Sequence, residues 1–150
     1  LQKMQELCQE LGFALSTVQA LVMPLERAID YCEGKPSADT IALSKNLLVD
    51  IGEGIKASSV VKSEGCPFRD NQININFDLN VPVCCTVSDR LTATVNRNYL
   101  TATLPEISKG KNNAKICTKC MSFGLPEYNL GYNKKGWDEI AATKTSLDVA

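Results

Sequence analysis

The first third of the chain carries apolar residues in alternating steps of three and four, the period of an amphipathic helix. The stripe runs from Leu1 to Cys32 and matches the a and d positions of more than four heptads. Leu7 and Leu21 widen it, and Pro24 should kink the helix because it lacks a backbone N–H. The stripe either packs inside the domain or forms a coiled-coil seam with a partner chain, and the extra apolar positions favour internal packing.

A turn should follow this helix and return the chain antiparallel to it. Gly34 can end the first helix and Ser37 can cap a second one. Gly52 and Gly54 weaken the end of the second helix. The apolar face of that helix comprises Ile41, Leu47, Leu48, Ile51 and Ile55. Residues 1–57 therefore predict an antiparallel helical hairpin, and residues 58–71 predict a linker.

The period changes to two after the linker. Apolar and polar residues alternate strictly from Ile73 to Val83, which predicts a strand with one buried face. Pro82 cannot donate to a ladder, so this strand should lie at an edge or bend. The polar face holds Asn74, Asn76, Asp78 and Asn80. A row of amides can contact a sugar or another strand, but a solvated face is the favoured interpretation.

The remaining segments predict more β-structure followed by an irregular end. Residues 91–95 and 99–103 flank a polar turn and predict a β-hairpin. Residues 105–113 predict a loop and residues 114–123 a strand, so that 72–123 is β-rich. Residues 124–150 predict an irregular region with a short helix at 137–147. The predicted fold is a single α+β domain, in which the helical hairpin packs on a small antiparallel sheet and disulfides staple the two together.

Charge and hydropathy exclude several kinds of partner. A net charge of −1 argues against a dedicated nucleic-acid binder, and no apolar stretch is long enough to predict a membrane span. A local basic run, best explained as a solvated face, comprises Lys109, Lys111, Lys115 and Lys119. The chain opens on Leu1 rather than methionine, which either a removed secretory signal or a trimmed sequence would explain.

The cysteines carry the strongest chemical signal, because the chain has seven of them and no histidine. Cys117 and Cys120 form a Cys-x-x-Cys pair, and Cys84 and Cys85 are adjacent. These four could make an intracellular all-thiolate zinc site, but neighbouring residues of an extended segment point to opposite faces. A thioredoxin-like redox pair would need Cys117 to open a helix, whereas its surroundings predict a strand. Disulfides in an oxidising compartment explain the arrangement best.

A hairpin that turns near Gly34 places residue 8 opposite about residue 60. Cys8–Cys66 is therefore the favoured first bridge. Cys84 and Cys85 should bond Cys117 and Cys120 in an order that the sequence leaves open. Cys32 is then the odd thiol, in a turn that should be exposed, where it could form an intermolecular bridge in a two-fold homodimer. Alternatively, Cys32 is a small buried hydrophobe at the end of the stripe.

No catalytic motif emerges from the sequence. The missing histidine excludes Ser-His and Cys-His pairs, and the adjacent acids Asp138 and Glu139 are typical of a helix start. No residue pattern predicts a cofactor. The sequence therefore predicts a secreted, non-enzymatic binding or assembly module whose partner is another protein or a second copy of itself. The alternatives are a carrier of an apolar ligand or lipid, held between the helices and the sheet, and the zinc module.

Overall fold

The fold of the chain is taken from a computed structural model, which describes residues 2–15, 20–60, 65–89, 93–130 and 134–147. The described part is mostly helical and contains one small antiparallel sheet, so the α+β class is confirmed. Its nine helices are α1 Gln2–Glu10, α2 Leu25–Cys32, α3 Ala38–Lys45, α4 Ile51–Ser58, α5 Pro67–Asp70, α6 Leu104–Asn112, α7 Lys115–Ser122, α8 Leu125–Leu130 and α9 Lys134–Leu147.

The predicted long first helix is wrong, because the stripe is divided between α1 and α2. Gly12, at a φ of +71°, follows the end of α1, and the N–H of Phe13 donates to the carbonyl of Cys8. This backbone conformation suits glycine and ends a helix. Pro24 occupies the residue position just before α2, without a capping hydrogen bond, instead of kinking a continuous helix. Leu1 and residues 16–19 of the stripe lie outside the described residues.

The predicted second helix is also two helices, although its start is confirmed. Gly34 has a φ of +73°, and the Ser37 Oγ accepts a hydrogen bond from the N–H of Thr40 at 3.1 Å. Asp50 then starts α4 through a capping box with Glu53: the Asp50 carboxylate accepts from the Glu53 N–H at 2.9 Å, and Glu53 accepts from the Asp50 N–H at 3.1 Å. The predicted hairpin of 1–57 is thus replaced by four short helices.

Of the strand predicted at residues 73–83, the structure contains only β1 (Val81–Pro82). Ile73, Ile75 and Phe77 are exposed instead of forming a buried face. The N–H of Asn80 donates to the Asp78 carboxylate at 3.2 Å, and Leu79 has a φ of +66°. Asparagine and aspartate side chains compete with sheet hydrogen bonding in this way, so the segment turns instead of extending.

The sheet joins β1 to β2 (Thr94–Asn96), with Val81 opposite Asn96 and Pro82 opposite Thr94. The predicted hairpin partner of β2, residues 99–103, is wrong, because Tyr99–Thr101 is a 3₁₀-helix whose start is capped by Asn98. The Asn98 Oδ1 accepts from the N–H of Leu100 at 3.0 Å. Residues 90–92 of the predicted hairpin lie outside the described residues.

Three predictions after residue 104 are wrong and one is confirmed. The predicted loop at 105–113 is α6, which starts with a capping box between Thr103 and Glu106. The predicted strand at 114–123 is α7, and the irregular stretch that follows contains α8. The predicted helix at 137–147 is confirmed as the greater part of α9.

The core brings α4 against α8 and α9, with α2 and α7 beside them. The rings of Tyr128 and Trp137 lie 5.5 Å apart at an angle of 42°. The Trp137 indole donates to the Ser58 Oγ at 3.1 Å, and the N–H of Val22 donates to the Tyr128 hydroxyl at 3.3 Å. Both aromatic side chains are therefore buried with their polar atoms satisfied.

Replacing Gly54 with alanine should destabilise the protein, because its Cβ would lie 2.9 Å from ring atoms of both Trp137 and Tyr128. We expect a loss of about 1–2 kcal/mol in the free energy of unfolding, measured by urea denaturation. Gly52→Ala is the matched control on the same helix, since its Cβ would lie 2.8 Å from the hydroxyl at the far end of the exposed Tyr31 side chain, which can turn away into solvent. Equal stability of the two variants would show that α4 does not pack against Tyr128 and Trp137 at Gly54.

Candidate functional site

Four cysteines from three parts of the chain converge on one small cavity. Cys66 immediately precedes α5, Cys84 follows β1, and Cys117 and Cys120 lie on α7. The cavity has a volume of about 20 Å³, close to that of one water. It is lined by Leu25, Cys66, Phe68, Arg69, Val83, Cys84, Thr86, Cys117, Cys120, Met121, Pro126 and Asn129. We call this set the thiol cavity.

Local structure explains how each thiol reaches the cavity. Residues three apart on a helix share a face, so α7 presents Cys117 and Cys120 together. The N–H of Val83 donates to the carbonyl of Ala93 at 2.8 Å. This hydrogen bond continues the pairing of the two strands as far as Val83, the residue before Cys84. The Cys84 Sγ lies 3.1 Å from the Thr86 hydroxyl, within hydrogen-bonding distance. At α5, the N–H of Cys66 donates to the Asp70 carboxylate at 3.1 Å.

Burial keeps the thiols on α7 protonated. Cys66, Cys84 and Cys120 are buried and Cys117 is half-buried. Burial, followed by the neighbouring Cys84 and Cys66, raises the pKa of Cys117 to about 11. Burial and the same neighbours raise the pKa of Cys120 further. Thiols held in this state are poor nucleophiles, which is the opposite of what a redox-active Cys-x-x-Cys pair needs. Its predicted position in a strand is nevertheless wrong, because Cys117 lies in the first turn of α7.

A buried lysine lies close to the thiol cavity. Lys111 is 2% exposed, and its ammonium group donates to the carbonyls of Phe68 at 3.3 Å, Arg69 at 3.5 Å and Gln72. These carbonyls lie at or just after the C-terminal end of α5, where the helix dipole attracts a cation. Burial lowers the pKa of Lys111, while Cys84, Cys117 and Cys66 act in the opposite direction. Lys111 thus holds α5, and with it Cys66, beside α6.

The basic run of the sequence is therefore not one solvated face. Lys111 is buried, and Lys119 makes an ion pair of 2.5 Å with Glu33, which lowers the pKa of that carboxyl. The adjacent acids near the chain end lie on α9, where Glu139 is 3.9 Å from Lys135 in an exposed pair. The helix-start interpretation of the acids is wrong, because α9 begins at Lys134 and its first turn holds no acidic residue.

The other three cysteines lie elsewhere. Cys85 is exposed and lines a wider pocket of about 450 Å³ together with Asn74, Asn76 and the 87–89 segment. Cys8 lines a groove along α1 with Gln5, Glu6, Gln9, Phe13 and Leu15. Cys32 is half-buried against the core rather than fully exposed, and burial raises its pKa. The sequence grouped Cys66 with Cys8, whereas the structure groups it with Cys84, Cys117 and Cys120.

All seven cysteines carry free thiols in the structure, so the predicted stapling is not observed. Across the described ranges, no group of three or more cysteine or carboxylate side chains is placed to hold a metal ion. Nor is any helix of the described chain both long and apolar enough to cross a membrane. The thiol cavity is far smaller than the ~300 Å³ that small-molecule sites usually need, so the carrier hypothesis gains no support from it.

Nothing in the sequence indicated Lys111 or Arg69 as neighbours of the cysteines. The Lys111 environment depends on the carbonyls of α5, a helix that lies in the predicted linker. The sequence pattern Thr103-x-x-Glu106 is a capping box and predicts that a helix, α6, starts there. It therefore predicts that Lys111 lies on a helix.

The comparisons with known proteins found no matching family model, no matching curated protein and no matching solved structure.

Reduced protein should lose stability as the pH rises from about 9 to 11. The folded-state pKa of Cys117, about 11, lies above its ordinary value of 9.0, so the folded state keeps a proton that the unfolded chain releases in this window. The stability contributed by the protonated thiol is complete below pH 9 and is lost as the pH passes 11. We expect a loss on the order of 1 kcal/mol, since the half-buried site is partly screened by solvent.

Urea denaturation of reduced protein at pH 8 and pH 10.5 measures this loss. The Cys117→Ala variant is the control, because it lacks the titrating group and should show a smaller loss. An equal loss in both proteins would mean that Cys117 is not held protonated.

Proposed function

We propose that the protein is a non-enzymatic binding or assembly module, stabilised by disulfides, that works in an oxidising compartment outside the cytosol. The observation that supports this most directly is the convergence of four cysteines on the thiol cavity. A cavity of about 20 Å³ leaves no room for a substrate beside the thiols, and burial keeps the α7 thiols protonated. A structural role, in which the sulfurs bond to each other, fits both facts.

Native mass spectrometry with and without reductant tests the proposal. Protein folded in a glutathione buffer poised like the secretory pathway should weigh about four mass units less than the reduced chain, since each disulfide removes about two. A mass unchanged by reductant contradicts the proposal. A retained metal ion favours the zinc module, and a retained lipid favours the carrier.

The binding part of the proposal is supported by α1. Its apolar residues Met4 and Leu7 are exposed, as are Leu11 and Phe13 just after it, with Phe13 67% exposed. The expected internal packing of this part of the stripe is therefore wrong. Exposed apolar patches of this kind mark interaction sites in soluble proteins. The heptad spacing favours a helical partner, and a second copy of the chain is the simplest one.

Replacing Leu7 and Leu11 together with serine should weaken self-association at least tenfold, measured by sedimentation equilibrium. The reason is the lost burial of two leucine side chains, each worth about 1.5–3 kcal/mol. Gln5→Ser with Gln9→Ser is the matched control on the same helix and should leave the dissociation constant unchanged. An unaltered chain that stays monomeric at every concentration would exclude assembly through α1.

Cys32 remains the predicted site of an intermolecular bridge, but its half-burial makes exposed Cys85 a competitor for that role. A non-reducing gel of Cys32→Ser and Cys85→Ser variants separates the two. The variant that loses a band at twice the monomer mass identifies the bridging thiol.

A further inference from the structure

The wider pocket beside Cys85 has the size of a small-molecule site. Its volume of about 450 Å³ lies within the range of about 300–1,000 Å³ that such sites occupy. Three segments of the chain line it, namely residues 74–76, residues from 82 to 85 and residues 87–89. The pocket meets the thiol cavity at Cys84, which lines both. We call it the amide pocket, after the two asparagine side chains in its lining.

Hydrogen bonds hold two walls of the amide pocket in place. In the first wall, the N–H of Asn76 donates to the carbonyl of Asn80 at 2.9 Å. In the second wall, one carboxylate oxygen of Glu26 accepts from the N–H of Ser88 at 3.0 Å and from the N–H of Asp89 at 2.9 Å. These bonds attach the second wall to α2. The pocket is therefore largely formed before a ligand arrives, as ligand sites usually are.

The side-chain amide of Asn74 carries an unpaired donor. Among the described residues, its nitrogen has no hydrogen-bond partner, and it is almost completely removed from solvent. A buried donor without an acceptor destabilises a fold, so a group of this kind calls for an explanation. The last torsion of an asparagine side chain rotates over a broad range, and the amide can turn toward the pocket without strain. A ligand oxygen in the pocket would then supply the missing acceptor.

The polar part of the lining suits a ligand rich in hydroxyl groups. Asn74 and Asn76 each offer an NH₂ donor and a carbonyl acceptor, and Ser88 adds a hydroxyl. A ligand hydroxyl both donates and accepts a hydrogen bond. Two neighbouring hydroxyls of a sugar therefore match both ends of one asparagine amide.

The remaining side chains narrow the ligand class further. Ile75, Pro82 and Val87 offer apolar surface to the C–H face of a sugar ring, and the carboxylate of Asp89 disfavours an anion. We propose that the amide pocket binds a small neutral saccharide. This inference rests on the proposed binding module and deepens it, because it gives that module a ligand class.

Saturation-transfer NMR of the full chain tests the proposal. The probes are glucose, mannose, galactose and N-acetylglucosamine, each as the free sugar and as its methyl glycoside. We expect at least one of them to receive saturation from the protein. Binding of a methyl glycoside identifies a glycan chain as the target, and binding of the free form alone identifies a free sugar; either result supports the site. A failure of every probe to bind overturns the proposal.

The thiol of Cys85 reports whether the sugar lies in the amide pocket. Cys85 is exposed and lines the pocket, so the sugar that binds should slow its alkylation by iodoacetamide in the reduced protein. Fragmentation of the tryptic peptide locates the alkyl group on Cys85. An alkylation rate that the sugar does not change places the sugar elsewhere and overturns the proposal.

Asn74→Asp and Asn76→Asp each replace an amide donor with an oxygen of similar size. Each should weaken saccharide binding about tenfold, the effect of one lost hydrogen bond. Asn112→Asp is the matched control and should leave the affinity unchanged, since Asn112 is exposed on α6 and does not line the pocket.

The two asparagines are replaced singly, so that a variant that fails to fold leaves the other to decide. If neither folds, the protection of Cys85 in the unaltered chain decides. Equal affinity in the folded variants and the control overturns the saccharide site. The disulfide-stabilised module would still stand in that case, because the mass of the protein with and without reductant tests it separately.

Discussion

Replacing Cys117 with alanine lowers the free energy of unfolding of the oxidised protein by about 4 kcal/mol and that of the reduced protein by far less. A proposed bridge from Cys117 to Cys84 or to Cys66 would close a loop of about 33 or about 51 residues, and the chain-entropy model assigns about 4 kcal/mol to a loop of either length. Cys117 is half-buried and not deep in the core, so removing its sulfur alone costs little packing. Urea denaturation of both redox forms, compared with the unaltered chain, measures the difference.

Cys85→Ala is the matched control for this comparison. Cys85 is exposed and does not line the thiol cavity, so its replacement should change neither redox form by more than about 0.5 kcal/mol. Equal losses for Cys117→Ala in the oxidised and reduced proteins would show that Cys117 takes part in no bridge.

The second large effect is expected at Lys111. Replacing it with methionine keeps the apolar stem but leaves the carbonyls of Phe68, Arg69 and Gln72 without their buried donor. A buried acceptor that loses a charged partner costs several times the net value of an ordinary hydrogen bond. We expect the free energy of unfolding to fall by about 3 kcal/mol, measured by urea denaturation of the reduced protein.

Lys109→Met is the control for that substitution, since Lys109 is an exposed lysine on the same helix. The Lys111 variant should also expose Cys66, because α5 starts at that residue and is held at its other end by the ammonium group. Alkylation of Cys66 in the reduced protein should therefore become faster. Equal stability and equal alkylation rates in the two variants would rule out this role for Lys111.

Helix starts were the part of the fold that the sequence could have predicted most fully. Ser37 was identified correctly as a cap because its hydroxyl satisfies a nearby backbone N–H, a purely local interaction. The same local chemistry marks Asp50 and Thr103, each followed three residues later by glutamate. Those two capping boxes would have divided the second helix and predicted α6.

The strand predictions were wrong because alternation of apolar and polar residues is not enough to form a strand. A strand also needs a neighbouring strand to pair with. Phe77 is 87% exposed, since the amides and carboxylates around it hydrogen-bond locally and turn the chain. The strand predicted at Cys117 failed for a related reason: the segment 114–123 has six apolar residues among ten, and a mixture of that kind fits a short helix equally well. Wrong secondary structure there hid the fact that Cys117 and Cys120 share one face.

The candidate site was accessible from the sequence only in part. The sequence grouped Cys84 and Cys85 with Cys117 and Cys120, and all of these except Cys85 line the thiol cavity. The place of Cys66 on the thiol cavity was not predicted, since its position depends on how α5 is held by Lys111 from a distant segment. No local pattern encodes a contact of that kind.

We propose that four of the seven thiols are paired in the native protein, and counting the free thiols tests this most directly. The chain is isolated from the secretory pathway of an expressing cell, unfolded at low pH, alkylated without reductant and weighed. Three added alkyl groups on the monomer, at Cys8, Cys32 and Cys85, and seven after reduction, are the result that the account predicts. Seven alkyl groups without reduction would contradict it.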